Sequence, residues 1–143
     1  MGKLTIFRGL PGAGKSKLAR QLAEQTGALF VEPDMLMIKH SKYCYEKELF
    51  KSAVAEVVSF MGAMHFFFDC DLIYADVLPT ISEAISIVEA VNPDSFQIID
   101  VKITPEESLE ANRHHFAAAD IYRFAQLWED WTSTEEPPKE VIK

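Results

Sequence analysis

Residues 9–16 read Gly-Leu-Pro-Gly-Ala-Gly-Lys-Ser, and this run constrains the chain more than any other. It fits the pattern G-x-x-x-x-G-K-[ST], in which glycines let successive backbone N–H groups point at one anion. The lysine of this pattern reaches the β- and γ-phosphates of a nucleotide, and the hydroxyl holds Mg²⁺. We therefore predict a catalytic Lys15, a metal-binding Ser16, and ATP and Mg²⁺ as ligands. The predicted nucleotide-binding residues here are Gly9, Pro11, Gly12, Ala13, Gly14, Lys15, Ser16 and Lys17.

The segments on either side of this run follow the order that a phosphate loop requires. Residues 4–7 form an apolar run that predicts a short buried strand. From Ser16 onward small and apolar residues recur on one face of a predicted helix, which Gly27 is suited to end. Strand, loop and helix in this order favour nucleotide binding over the alternative, a glycine turn without a nucleotide.

Strand and helix signals alternate along the rest of the chain. Apolar runs predict further strands at 28–31, 71–76 and 96–103. Capping boxes at 80–83 and 104–107 mark two helix starts. The other predicted helices are 46–64 and one from Asp120 that carries Ile121, Phe124, Ala125, Trp128 and Trp131 on one side. The alternation predicts an α/β fold of three layers, α/β/α, with a parallel sheet of four to five strands.

The 143 residues are expected to form a single domain over 1–131, with a lid around 112–120. Residues 132–143 lack periodicity, so we expect a polar, flexible tail there. The apolar run Phe66-Phe67-Phe68 is expected to be buried, either under the sheet or against a partner chain. No apolar run approaches the ~18 residues of a membrane span, so we expect a cytoplasmic protein without a membrane partner.

The net charge of −8 is distributed unevenly along the chain. Residues 1–51 hold nine Lys and Arg against five Asp and Glu, a net charge of +4, whereas residues 52–143 hold five against seventeen, a net charge of −12. An acidic protein is poorly suited to a broad, sequence-independent grip on a duplex backbone. A polyanionic substrate would be attracted only to the part of the chain that carries the phosphate loop.

Two aspartates follow predicted strands, at the sheet edge where open parallel sheets bind their ligands. Asp34 is predicted to bind the substrate and to be the catalytic base that accepts the proton of its hydroxyl. The alternative for Asp34 is an N-cap of a helix at 35–38. Asp76 is predicted to contact the substrate or the water shell of the metal, the alternative being a cap or turn residue before Pro79.

Basic residues form a further group of candidates. Lysines and tyrosines alternate in residues 39–47, and we predict that Lys42 contacts a phosphate of the substrate while Tyr43 stacks on a base. The alternative is solvated lysines beside packed tyrosines. Arg113 and Arg123 are predicted to bind the nucleotide, and Arg113 to act in catalysis by neutralising charge on the transferring phosphoryl group. For either arginine the alternative is a surface ion pair.

Several of these segments occur in an order and spacing that resemble one known family. They are residues 7–16, the turn at Asp34, Lys42-Tyr43-Cys44-Tyr45, Asp76, Asn112-Arg113-His114-His115 and residues 121–129. Together they resemble the polynucleotide-kinase-like family of small P-loop kinases. The resemblance implies transfer of the γ-phosphate of ATP to the 5′-hydroxyl of DNA or RNA, or to other hydroxyls. The turn Glu32-Pro33-Asp34-Met35 is similar to the phage members that phosphorylate hydroxymethyluracil bases within DNA.

Two departures from the family pattern bear on the acceptor. Residues 34–37 lack the arginine that follows Asp-Asp in end-phosphorylating relatives, and residues 76–79 are largely apolar where many relatives have Asp-Asn-Thr-Asn. These differences favour the hydroxymethyl group of hydroxymethyluracil in phage DNA over a polynucleotide 5′-hydroxyl. A nucleoside or small-metabolite kinase, and a non-catalytic nucleotide-binding protein, are the alternatives. Neither the choice between ATP and GTP nor the oligomeric state follows from the sequence.

Overall fold

A computed structural model describes residues 2–39, 42–43, 47–111 and 116–131 of the chain. In chain order the elements are β1 (Lys3–Arg8), α1 (Lys15–Thr26), β2 (Leu29–Val31), a 3-10 turn (Pro33–Leu36), β3 (Ile38–Lys39), β4 (Lys42–Tyr43), α2 (Lys47–Phe68), β5 (Leu72–Asp76), α3 (Ile81–Val91), β6 (Ser95–Asp100), α4 (Pro105–Glu110) and α5 (Ala118–Leu127). Four parallel strands form the main sheet in the order β2-β5-β1-β6. The strands β3 and β4 form a separate antiparallel pair.

Helices cover both faces of the main sheet, because successive side chains of its central strands point to opposite faces. Leu4 and Ile6 of β1 pack in the cluster that includes Met61 of α2 and residues of α3. Phe7 packs on the other face in the cluster that includes Ala19 of α1. The predicted three-layer α/β fold with a four-stranded parallel sheet is therefore confirmed.

The predicted helix boundaries are confirmed where they depend on local chemistry. The hydroxyl of Thr80 accepts from the N–H of Glu83, and Thr104 accepts from Glu107 in the same way, so both capping boxes are formed. Gly27 follows α1 with φ 76°, in the left-handed region that glycine adopts without a steric penalty.

The C-terminal part of the described chain differs from the prediction. Strand β6 ends at Asp100, three residues before the predicted end, and α5 ends at Leu127, so Trp128 and Trp131 lie beyond the helix. The side chain of Trp131 returns to the core, where its ring lies 6.3 Å from that of Phe96. The helical spacing of Trp128 and Trp131 therefore did not indicate a longer helix. The chain leaves the helix after Leu127 and returns Trp131 to the core.

The longest helix, α2, has 22 residues and ends in three phenylalanines. Phe66, Phe67 and Phe68 are 80%, 71% and 70% exposed, so the expectation that they lie under the sheet is wrong. Consecutive helical side chains point about 100° apart, so three in a row cannot share the face that meets the core. Their burial against a partner chain stays a prediction. Among the described residues, no helix has both the length and the apolar character needed to cross a membrane.

Candidate active site

The predicted phosphate loop lies between the end of β1 and the start of α1, at the carboxyl edge of the sheet. Gly12 has φ 82° and Gly14 has φ 92°, conformations that side chains with a Cβ rarely adopt. The loop is packed from outside by α4, since a Cβ on Gly12 would lie 2.7 Å from the Cβ of Ala111. The hydroxyl of Ser108 also donates to the carbonyl of Pro11 at 2.5 Å. The loop therefore has the backbone shape that a phosphate-binding turn requires.

The ammonium group of Lys15 lies inside the loop. It donates to the carbonyls of Gly9 at 2.8 Å and Leu10 at 3.2 Å. Burial lowers the pKa of Lys15, while the nearby carboxylates of Asp76, Asp34 and Glu32, in that order, act to raise it. This lysine is thus a desolvated cation surrounded by acids, at the position where a phosphate chain would meet it.

Glu32 is a site residue that the sequence analysis did not identify as functional. The hydroxyl of Ser16 donates to its carboxylate Oε2 at 2.6 Å, and the residue is buried. Burial raises the pKa of Glu32, and the charge of Asp34 raises it further, whereas the hydrogen bond from Ser16 and the charges of Arg20 and Lys15 lower it. A signal was available, because Glu32 directly follows β2 at the same sheet edge that drew attention to Asp34.

Asp76 ends β5 and is buried beside the loop. The phenol of Tyr74 donates to its Oδ2 at 2.9 Å, and the N–H of Val77 donates to its Oδ1 at 2.7 Å. Burial is the main cause that raises the pKa of Asp76 to about 7, with Asp34 adding to the rise and the hydrogen bonds and Lys15 opposing it. Asp76 is therefore protonated more readily than an exposed aspartate. Asp76 also has the turn role named as its alternative, because its carboxylate accepts the N–H of Val77.

Asp34 lies within the 3-10 turn that follows β2. The alternative that it is an N-cap is wrong, because Glu32 occupies the N-cap position and Pro33 the first helical position, so Asp34 is already inside the turn. Its charge acts on both Lys15 and Asp76, raising the pKa of each. The structure thus brings Asp34 together with these two predicted site residues. Its role as catalytic base stays a prediction.

The oxygen atoms around the loop bear on the predicted Mg²⁺. Within the described ranges, no group of three or more His, Cys, Asp or Glu side chains is arranged to hold a metal by itself. Mg²⁺ is usually held by one or two carboxylates together with substrate phosphates and water. Ser16, Glu32 and Asp76 are oxygen donors of the kind it prefers, so these residues fit a magnesium ion shared with a nucleotide.

A cavity of about 470 Å³ has Asp76 in its lining. Its walls come from the start of α2, the loop between β5 and α3, α3 itself, and α5. Five of its lining residues are Phe50, Val77, Leu78, Phe116 and Phe124. Three basic residues, Lys47, Lys51 and Arg123, also line it. The cavity thus combines aromatic and aliphatic walls with three basic and two acidic residues, Glu83 and Asp76, and Asp76 also lies near Lys15 of the phosphate loop.

The predicted basic residues have different outcomes. Arg123 is bonded to Asp120 through Nη2 at 3.2 Å, which is the surface ion pair named as its alternative, and it lines the cavity. Arg113, with the rest of 112–115, lies outside the described residues. The backbone of Lys42 and Tyr43 forms β4, but their side chains are outside the described part of the structure. The nucleotide- and substrate-binding roles of these residues stay predictions.

Comparisons with known proteins place this fold in a class. No family model and no curated protein matches the sequence. A gluconokinase from Sinorhizobium meliloti 1021 is 14% identical, with 99% of this chain and 82% of that chain covered and a TM-score of 0.65. Kti12 of Chaetomium thermophilum, solved with ADP-AlF3, is 14% identical, with 97% and 88% covered and a TM-score of 0.69. A chain of the Pnkp1/Rnl/Hen1 RNA repair complex is 16% identical, with 87% and 43% covered and a TM-score of 0.72.

These similarities define the fold of the P-loop kinases, which this chain has. The polynucleotide-kinase-like resemblance agrees with them at the level of the fold, since a chain of an RNA repair complex is among the similar structures. Gluconokinase and sugar kinase structures are similar to it as well, so the fold is shared by enzymes named for different acceptors.

Proposed function

We propose that the protein is an ATP-dependent kinase that transfers the γ-phosphate to a hydroxyl group. The observation that carries this proposal is the convergence of Lys15 and Ser16 of the phosphate loop with Glu32, Asp34 and Asp76 at one sheet edge. Three carboxylates close to the loop lysine are enough to hold a metal and also to provide a base for an acceptor hydroxyl. The fold supports the same class of reaction.

The loop and its neighbours divide the binding of the triphosphate between them. Backbone N–H groups of the loop and the ammonium of Lys15 hold the phosphates. Ser16, with Glu32 and Asp76, would hold Mg²⁺, which when bound neutralises charge on the β- and γ-phosphates. Arg113 and Arg123 would add positive charge near the phosphates. The desolvation of Lys15 strengthens its attraction to phosphate, because charges interact more strongly where water is excluded.

The transfer step requires a base for the acceptor. The acceptor oxygen forms a bond to the γ-phosphorus while the bond to the bridging oxygen breaks and ADP leaves. Asp34 orients the hydroxyl and accepts its proton. Asp76 stands between the loop and the cavity, hydrogen-bonded to Tyr74 and Val77, and orients the acceptor.

The acceptor that the cavity fits best is a nucleobase that carries a hydroxymethyl group. A volume of 470 Å³ lies within the range of roughly 300–1,000 Å³ typical of ligand sites. Phe50, Phe116 and Phe124 provide apolar surface for a base, while Lys47 and Lys51 can meet the flanking phosphates. A base in duplex DNA must be flipped out to enter such a cavity. We propose hydroxymethyluracil in phage DNA as the acceptor, in the host cytoplasm, with Lys42 and Tyr43 contacting the strand.

A small-metabolite or nucleoside kinase is the second candidate. A cavity of this volume suits a small molecule as well as a base, and the net charge of −8 does not favour a long contact with DNA. A gluconokinase and a sugar kinase are among the structures with the same fold.

One experiment separates these candidates. The protein is incubated with γ-labelled ATP and with DNA containing hydroxymethyluracil, DNA with free 5′ ends, RNA, free nucleosides or sugars, and the label is located after nuclease digestion. We expect label on hydroxymethyluracil, and labelling about three-hundredfold slower with the Asp34→Asn variant. Label only on nucleosides or sugars would favour the second candidate. Nucleotide binding without transfer to any acceptor would contradict a kinase.

A further inference from the structure

Arg8 is the last residue of β1 and directly precedes Gly9 of the phosphate loop. Its side chain is 0% exposed, an unusual position for a charged group, which is expensive to bury unless its donors are bonded. Nη1 donates to the carboxylate of Asp100 at 2.9 Å. The ring of Trp128 lies under the guanidinium at 4.3 Å. The sequence analysis gave Arg8 no role.

Two further bonds of Arg8 go to backbone carbonyls of the loop between β5 and α3. Nε donates to the carbonyl of Leu78 at 2.9 Å, and Nη2 donates to that of Pro79 at 3.2 Å. Val77, Leu78 and Pro79 all line the cavity beside Asp76. The side chain of Arg8 therefore connects the start of the phosphate loop to one wall of the proposed acceptor site.

This wall is held in a strained conformation. Leu78 has φ 44°, in the left-handed region that a residue other than glycine, asparagine or aspartate rarely occupies. Such strain persists only where the surroundings impose it, and it occurs most often at functional sites. The bonds from Arg8 to Leu78 and Pro79 are contacts that impose it, together with the N–H of Glu129, which donates to the Pro79 carbonyl at 2.8 Å.

Residues 128–131 also bond to Arg8 and to its partner Asp100. Arg8 Nη2 donates to the Glu129 carbonyl at 2.8 Å, and the N–H of Trp131 donates to Asp100 Oδ2 at 2.8 Å. The Glu129 carboxylate accepts from the N–H of Ile81 at 2.8 Å, at the start of α3. The segment, Asp100 and the 77–79 wall are thus joined through one guanidinium.

We propose that Arg8 is a positioning residue that fixes the 77–79 wall relative to the phosphate loop, so that it determines affinity for the acceptor and not for ATP. This inference rests on the proposed kinase function. The loop itself is packed by Ser108 of α4 and by Ala111 just after it, and the Arg8 side chain bonds neither, so we expect Arg8→Lys to leave the loop unchanged. Lysine could keep the charge beside Asp100 but lacks the planar fork that reaches all of these acceptors at once.

Steady-state kinetics of the Arg8→Lys variant test this division. We expect the KM for the acceptor to rise about tenfold, equivalent to the loss of about 1.4 kcal/mol of binding, with the KM for ATP within about twofold of wild type. Lys102→Ala is the matched control, because the bond from Lys102 to Asp130 at 2.7 Å also ties the 128–131 segment but does not touch the 77–79 wall. An unchanged acceptor KM in Arg8→Lys, or equal rises for both substrates, would overturn the inference.

Hydrogen exchange tests the same inference without relying on catalysis. We expect the amides of Val77 and Leu78 to exchange about tenfold faster in Arg8→Lys, while those of residues 12–18 stay unchanged. Glu129→Ala keeps the guanidinium and removes a carboxylate that bonds Ile81 and whose charge raises the pKa of Arg8, so it perturbs the same network. It is expected to give about a threefold increase, and it is the test if Arg8→Lys does not fold. Wild-type protein that phosphorylates nothing would refute the kinase proposal alone. Unchanged exchange at 77–78 in the folded variants would refute the positioning role.

Discussion

The phosphate loop and the cavity beside it are built in opposite ways. The loop is one continuous run, residues 9–16, and it works through backbone N–H groups and one lysine. The cavity is assembled from α2, the 77–79 wall, α3 and α5, and its character comes from side chains. A motif whose parts are adjacent in sequence can be identified before folding, whereas a surface built from distant segments exists only afterwards. The nucleotide half of the proposed function is therefore better defined than the acceptor half.

The electrostatics of the two regions differ as well. Around the loop, a buried lysine faces three acids whose charges oppose the lowering of its pKa. In the cavity, Lys47, Lys51 and Arg123 accompany aromatic walls, and Asp76 is shared by both regions. Substitutions in one region should therefore leave the binding step of the other intact, and each variant below tests this separation.

The largest effect is expected from Lys15→Ala. Loss of the ammonium removes the charge that stabilises the transferring phosphoryl group, so kcat should fall about a thousandfold and ATP should bind more weakly. Acceptor binding, measured by fluorescence or calorimetry, should change less than about twofold. Lys3→Ala, at the end of β1 that lies away from the phosphate loop, is the control and should behave as wild type. Weakened acceptor binding in Lys15→Ala would show that the two regions are not separable.

A somewhat smaller effect is expected from Asp34→Asn. An amide keeps the size of the side chain but cannot accept the proton of the acceptor, so kcat should fall about three-hundredfold. The dissociation constant for ATP should stay within about threefold of wild type. Glu24→Gln removes a carboxylate from the exposed part of α1 and is the matched control. A kcat near that of wild type would exclude Asp34 as the base.

The shared residue Asp76 should make stability depend on pH. Its pKa of about 7 in the folded protein exceeds the ordinary value of 3.8, so the folded state binds more protons between these values and stability falls as pH rises from about 4 to about 7. Asparagine does not ionise, so the Asp76→Asn variant does not lose stability in this way as the pH rises. We measure the free energy of unfolding in urea for both proteins at pH 5 and at pH 8. The value for the variant minus that for wild type should be about 2 kcal/mol larger at pH 8 than at pH 5. A difference that is equal at both pH values would contradict the assignment.

The smallest of these effects is expected from Phe124→Ala in the cavity. Removing apolar surface that a base would bury should raise the KM for the acceptor about tenfold and leave that for ATP unchanged. Tyr122→Ala, on the same helix but exposed and outside the cavity lining, is the control. An increase in the KM for ATP instead would place the nucleotide base, and not the acceptor, in this cavity.

The features predicted from sequence are those that local chemistry determines. The order of β1, loop and α1, the capping boxes at Thr80 and Thr104, and the end of α1 at Gly27 are all found in the structure. Each depends on residues within a few positions of one another, so their spacing is visible in the sequence. Asp34 and Asp76 could be proposed because parallel strands present their carboxyl ends at one edge.

The features that were missed depend on contacts between distant segments. Arg8 and Asp100 are paired across two strands, and nothing near either residue distinguishes it from a surface charge. Glu32 follows a predicted strand just as Asp34 does, but its hydrogen bond with Ser16 depends on the fold. The apolar spacing of Trp131 fitted a helix equally well, because the sequence does not show that the chain turns back to the core there.

The close packing of Gly12 against Ala111 has a practical consequence. The shape of the anion cradle is a joint property of the motif and of a residue far from it in the chain. A larger side chain at position 111 would press on the cradle as a methyl group on Gly12 would. A designer who wished to silence this protein while keeping its signature motif intact could therefore begin with that alanine.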